Sequence, residues 1–226
     1  MNRSSLPLLG LVIPAALLAA WWLAAHSGGI APVLLPSPEA VWEAFVRMAA
    51  DGSLAAHIGM SAMRTMTGFV LAAAFGIGCG VWFAVRPAAA AASHFVIEFL
   101  RLTPPLALIP VLILWLGIDE APKIAIVFLS SFFPIYLSAL TAVKGIDPKL
   151  AEVAELLRFT SAERFRMLTL PAAMPGILAG LRMGFGYSWR ALVGAELIAA
   201  SSGLGFLITE SSEFGKTDVV FVGIFT

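Results

Sequence analysis

Residues 152–171 read EVAELLRFTSAERFRMLTLP, and apolar runs long enough to cross a bilayer lie on both sides of them. Glu152, Glu155, Arg158, Glu163, Arg164 and Arg166 fall within fifteen positions of a chain that is otherwise mostly apolar. Hydrocarbon does not accommodate that density of ions. The flanking runs, 123–143 and 174–200, have the ~20 apolar residues with which a helix spans ~30 Å. Such a chain is required to thread a membrane and to hold this one segment in water.

Composition says the same. Of 226 residues, 60% are hydrophobic and 12% charged, against about 25% charged in a soluble domain. Lys and Arg balance Asp and Glu at net zero, which argues against a nucleic-acid partner. The one cysteine, Cys79, builds no disulfide framework. His26, His57 and His94 are too scattered for a metal-ligand pattern, and no cofactor is expected.

The first apolar run, 6–25, exceeds the ~7–15 residues of a signal-peptide core. Because more spans follow, it is read as an uncleaved helix with Trp21 and Trp22 as interface anchors. The next segment, to about residue 58, is wet. Within it Ser37-Pro38-Glu39 starts a helix: a side-chain cap, proline at the first position, an acid in the first turn. Val41, Ala44, Phe45 and Met48 share one face of that helix, which either lies on the membrane surface or packs on a neighbour.

Span 2 covers 61–85, where Gly76 and Gly80, one turn apart, invite a close neighbour. Span 3 covers 102–117, with Pro104, Pro105 and Pro110 kinking its entry. Span 4 covers 123–143 and span 5 covers 174–200. A polar loop at 201–218 precedes a last run, 219–226. Eight helical residues cover ~12 Å, less than half a bilayer, so the expected final helix is truncated. The division expected is 1–57, an N-terminal span plus an amphipathic helix, and 58–226, the main membrane domain.

With the N-terminus inside, the inner flanks hold Arg3, Arg86, Arg101, Lys144, Lys149, Arg158, Arg164 and Arg166. The outer flanks hold Arg47, Arg64, Lys123 and Lys216. The excess of positive charge places residues 152–171 in the cytoplasm.

There Asp147-Pro148 starts a helix running to about Leu157. Thr160-Ser161-Ala162-Glu163 is a capping box opening a second, which Pro171 closes before Pro175-Gly176 opens span 5. The pair is either an ordinary loop or a docking surface.

Two sequence patterns are decoys. Gly215-Lys216-Thr217 lacks the earlier glycine of a phosphate loop, that position being Glu210. The sequon Asn2-Arg3-Ser4 falls on the cytoplasmic side. Ser, His and acids are not grouped as a hydrolytic centre requires.

Glu152-Val153-Ala154, then Arg158, then Leu168-Thr169-Leu170-Pro171 resembles the E-A-A-x3-G-x9-I-x-L-P loop of ABC-importer permeases. Further stretches resemble the nitrate/sulfonate/taurine branch of these binding-protein-dependent permeases. They are Leu35-Pro36-Ser37-Pro38, Pro104-Pro105-Leu106-Ala107-Leu108-Ile109-Pro110, Phe132-Phe133-Pro134-Ile135, Pro171-Ala172-Ala173-Met174-Pro175-Gly176 and 195–205, AELIAASSGLG. The resemblance implies an all-α integral membrane protein of six-helix topology, with cytoplasmic coupling helices between spans 4 and 5. It implies a non-catalytic subunit that dimerises, most simply with a second copy of itself, in a bacterial inner membrane. Separate ABC ATPase subunits would dock on Glu152, Val153, Ala154, Arg158, Ser161, Ala162, Leu168, Leu170 and Pro171. A periplasmic or lipid-anchored binding protein would deliver solute to segments 28–57 and 201–218. The solutes implied are small anions: sulfonates, taurine or nitrate.

The family's turn glycine is Arg158 here. If the turn needs a left-handed backbone, a non-glycine there costs ~1–2 kcal/mol.

On span 5, Arg182, Gly186, Trp189, Val193 and Glu196 share a helical face. Arg182, Trp189, Arg190 and Glu196 are the candidate path residues. The alternatives are a snorkelling Arg182, a Glu196 bonded to neighbouring backbone, and an Arg190 paired with an acid on another helix. A secondary transporter, the competing function, would need paired intramembrane acids and inverted repeats. The sequence offers Glu196 without a repeat.

Overall fold

The computed structural model describes residues 6–226, with side chains for 12–150 and 152–226. Arg3 and the sequon at Asn2, used above, lie outside the described residues. All regular structure among the described residues is helical. In chain order the helices are α1 (Leu6–His26), α2 (Pro38–Ala50), α3 (Ser53–Val85), α4 (Pro87–Leu102), α5 (Ile109–Leu116) and α6 (Glu120–Lys144). They continue as α7 (Pro148–Leu156), α8 (Ser161–Arg164), α9 (Leu170–Ala199), α10 (Leu204–Glu213) and α11 (Thr217–Phe225).

Three described helical stretches are long and apolar enough to cross a membrane: Ser53–Val85, Glu120–Lys144 and Ser161–Ala199. A fourth appears if a bent pair counts as one span. That pair corrects the reading of span 3. The apolar stretch after Pro104 is only a 3-10 turn, Pro105–Leu108, followed by α5. It is preceded by a helix the sequence reading missed, α4, and the two meet at 89°. The alanine tract at 88–92 forms the first turns of α4, as the best helix former should. Proline disfavours the helical conformation for the residue before it. Thr103 and Pro104, each followed by proline, are accordingly extended, with ψ 122° and 121°.

A second correction concerns Pro171. It closes no helix: α8, a π-helical turn at Phe165–Thr169 and α9 run on continuously. Proline within a helix loses one hydrogen bond and clashes with the carbonyl four residues back. The wider turn relieves both problems, since bonds there skip five residues. Leu170 N–H accordingly donates to Phe165 O. The polar loop at 201–218 is likewise mostly helix, α10.

The chain separates into two compact units, Met1–Met60 with Ala200–Thr226, and Ser61–Ala199. In the first, α2 buries Val41, Ala44 and Met48 and packs on α11, while Phe45 joins Trp42 and Val46 on the exposed side. One side of the helix thus packs on a neighbour. Trp21 stacks on Phe221 at 5.5 Å and donates its indole N–H to Pro36 O at 3.0 Å. Trp22 donates to Glu39 Oε1 at 2.7 Å. The Glu39 carboxyl is held below its ordinary range, first by its own backbone N–H and then by Trp22.

In the second unit α6 and α9 pack along their lengths. Small residues set the approach. A Cβ on Gly176 would lie 2.5 Å from Ala142 Cβ, and one on Gly184 2.7 Å from Ile135 Cδ1. On α3, a Cβ at Gly76 would lie 3.1 Å from Ile135 Cγ2, and one at Gly80 2.7 Å from Ala139 Cβ. The glycine pair read as a packing signal thus faces α6. Ser131 and Ser188 meet hydroxyl to hydroxyl between α6 and α9: one donates to the other, whose own proton goes to a carbonyl of its own helix.

Candidate functional site

Local chemistry builds the α7–α8 segment almost unaided. Asp147 accepts from Lys149 N–H at 2.9 Å, and Pro148 occupies the first turn, where its missing N–H costs nothing. At the other end Phe159 N–H reaches Ala154 O at 2.9 Å and Arg158 N–H reaches Glu155 O at 3.0 Å. These two bonds define a Schellman motif, which places Arg158 at the position normally held by a left-handed glycine. Arg158 has φ +52°, alone among the described non-glycine residues. The same motif recurs after α10, where Gly215 fills that position at φ +68°. The turn therefore takes the left-handed geometry that glycine ordinarily fills despite carrying arginine. Thr160 then caps α8: Glu163 N–H donates to Thr160 Oγ1 at 3.3 Å, and Thr160 N–H to Glu163 Oε2 at 2.8 Å.

Two consequences follow from these turns. Ala154 is 1% exposed, whereas Leu156 on the same helix is 83% exposed. Val153, Leu157, Phe165 and Met167 are exposed with it, as are Glu152, Arg158, Ser161, Ala162 and Pro171. Leu168 and Leu170 are half-buried. The displayed surface is apolar with a charged rim, and Ala154 supports it from beneath.

Arg158 also yields a prediction. Its side chain makes no ion pair among the described residues. Arg158→Gly removes about 1–2 kcal/mol of left-handed strain against roughly 0.5–1 kcal/mol of extra unfolded-state entropy. The purified chain is expected to gain about 0.5–1 kcal/mol, read as a small rise in melting temperature. A fall would mean that the guanidinium makes a stabilising contact of its own.

The candidate path residues do not share one environment. Arg182 is exposed and Trp189 half-buried. Glu196 is 1% exposed and sits in a charge cluster. Arg64 Nη1 donates to Glu196 Oε1 at 2.7 Å, and Ser61 Oγ donates to Glu196 Oε2 at 2.8 Å. The same guanidinium forks onto Glu120, with Nη2 at 2.8 Å from Oε1 and Nε on Oε2. Lys123 Nζ lies 3.2 Å from Glu120 Oε1. Among the described residues two cations meet two anions, so their charges balance, as burial in an apolar surround requires.

Arg64, Glu120 and Lys123 were missed as a group. The sequence reading assigns Arg64 and Lys123 to the outer flanks, yet they are 0% and 4% exposed. A signal was present: an arginine inside span 2 and a glutamate inside span 5 each demanded a counter-ion.

Arg190 behaves differently. It is exposed, makes no ion pair among the described residues, and lines a groove of about 530 Å³. Pairing with an acid on another helix, the alternative considered for it, is not what the structure has.

Among known proteins, residues 72–226 match the family described as binding-protein-dependent transport system inner membrane component. The chain is 39% identical, over 93% of its length and 78% of the relative's, to the taurine transport system permease protein TauC of Escherichia coli. A Bacillus subtilis protein, SsuC, named as an aliphatic sulfonates transport permease, is 36% identical over 95% of this chain and 78% of its own. The nitrate import permease protein NrtB of Leptolyngbya laminosa is 29% identical over 77% and 62%.

Proposed function

The chain belongs to the binding-protein-dependent inner membrane components, the permease subunits of ABC importers, and on that premise we propose how it is driven and what it carries. The α7–α8 segment is the surface on which a separate ATPase subunit docks. Val153, Leu156 and Leu157 enter a groove of that partner, and Glu152 and Arg158 lie at the rim. Ala154 sets the height of the helix rather than touching the partner. The observation that carries this reading is the 83% exposure of Leu156 on a helix whose two ends are locked by side-chain and backbone caps. Rigid, capped helices can transmit a push, whereas a flexible loop would absorb it.

In this reading α7–α8 and the N-terminus face the cytoplasm. Once Arg64 and Lys123 are recognised as buried partners of acids, the outer side keeps only Arg47 and Lys216 of the cations assigned to it, which sharpens the charge asymmetry. The full subunit has six spans and pairs with a second copy, and a binding protein meets segments 28–57 and 201–218. The solute is a small anion such as a sulfonate, taurine or nitrate, the solutes named for its relatives. A gradient-driven secondary transporter is not favoured, because the relatives are ABC permeases and Glu196 is already engaged by Arg64.

Leu156→Asp tests the docking surface. The side chain touches nearly nothing, so the isolated permease should change by no more than about 0.5 kcal/mol. Co-purification with the ATPase and ATP-driven uptake in proteoliposomes should both be lost. Retention of both by Leu156→Asp and by Val153→Asp would overturn the docking assignment.

A further inference from the structure

The groove that carries Arg190 holds a second arginine, Arg101, from the last turn of α4. Ser130, Ser138 and Tyr187 add hydroxyls to its lining, and Pro105, Leu106, Phe133 and Met183 make apolar walls. Its volume, about 530 Å³, falls within the range of small-molecule sites. The two guanidiniums differ in state. Arg101 is bonded to Glu98 on its own helix through Nε and Nη2, whereas Arg190 has no counter-ion among the described residues. A cation against apolar walls within a membrane segment is costly unless an anion joins it. The Arg64 cluster shows how the same chain handles charges that need no visitor: it neutralises them internally.

We propose that this groove binds a small organic anion, with Arg190 and Arg101 on its charged head and the apolar walls on a short carbon chain. Guanidinium matches the planar or tetrahedral oxygen sets of carboxylates, sulfonates and phosphates through paired N–H donors. Glu98 is a built-in competitor: its carboxylate occupies Arg101 when the groove is empty and yields when an anion enters. The walls make the site prefer an organic anion over an inorganic one of equal charge. The proposal rests on the reading of this chain as an anion-importing permease only for its choice of probe. Its test does not involve ATPase docking, so either reading can fail while the other stands.

Ligand-dependent melting of the purified, detergent-solubilised chain provides the test, with ethanesulfonate as the probe. The wild type should be stabilised saturably by ethanesulfonate, and not by the uncharged ethyl methyl sulfone. Lengthening to propane- and butanesulfonate should tighten binding about fourfold per methylene, the factor expected for burying a CH₂. Arg190→Gln should weaken ethanesulfonate at least tenfold. Glu98→Gln should tighten it severalfold, a gain that misfolding cannot mimic. Equal binding by Arg190→Gln and wild type would overturn the proposal, as would nitrate or sulfate binding as tightly as ethanesulfonate. Stabilisation by short-chain phosphatidylglycerol but not by ethanesulfonate would assign the groove to a lipid headgroup and overturn it as well.

Discussion

Arg64→Leu is expected to lose about 3–5 kcal/mol of stability, the cost of stripping one partner from a buried ion pair. The reason lies in what remains. Glu196 is 1% exposed and would keep a carboxylate facing Ser61 without its guanidinium. Glu120 would retain Lys123 at 3.2 Å and part of its exposure to solvent, so most of the penalty belongs to Glu196. Melting of the purified chain should fall by roughly 10 °C. Arg64→Leu with Glu196→Leu should recover much of the loss, because apolar replacement of a whole buried pair is often neutral or better. Arg64→Lys should fall between them: an ammonium cannot serve Glu196 and fork onto Glu120 together. Wild-type melting by Arg64→Leu alone would show that the cluster is solvated and carries no such weight.

Gly180→Leu is expected to split the α6–α9 contact. A Cβ at Gly180 would overlap Ser138 Cβ and approach Ser138 Oγ and the Ile135 backbone. Leucine adds three further carbons beyond that clash, and overpacking of this kind costs about 1–3 kcal/mol, with larger losses where backbone cannot move. In lipid the loss is felt directly, since close packing, rather than exclusion of water, holds helices together. Gly186, on the same helix, has nothing within 4 Å of a Cβ, so Gly186→Leu is the matched control. The expected result is loss of the monodisperse, folded chain for Gly180→Leu and retention for Gly186→Leu. Equal behaviour of the two would mean that α9 is not held against α6 at this register.

Much of the α7–α8 segment was legible as text. Asp147-Pro148 and Thr160-x-x-Glu163 are caps whose partners lie within three residues, so no distant contact is needed to form them. The strain at Arg158 was anticipated from a missing glycine and appears as φ +52°. Pro171 misled because proline ends helices in most settings. Here a π turn at Phe165–Thr169 carries the helix past it, an accommodation that depends on where the preceding turn is anchored. The start of α4 was hidden because an alanine tract has no periodic apolar face to detect.

The candidate charges divide along the same line. That arginine and glutamate inside apolar runs needed partners follows from desolvation alone. Which partners they took does not, because Arg64 and Glu196 are 132 residues apart, and only the packing of α3 and α9 around α6 brings them within a hydrogen bond. The amino-acid order by itself determined the solvent, the capped turns and the need for counter-ions, since these depend on composition and on neighbours a few positions away. The tertiary structure alone decided that Glu196 is neutralised internally while Arg190 is left facing a groove, since burial and pairing are properties of helix faces that meet only after the chain has folded.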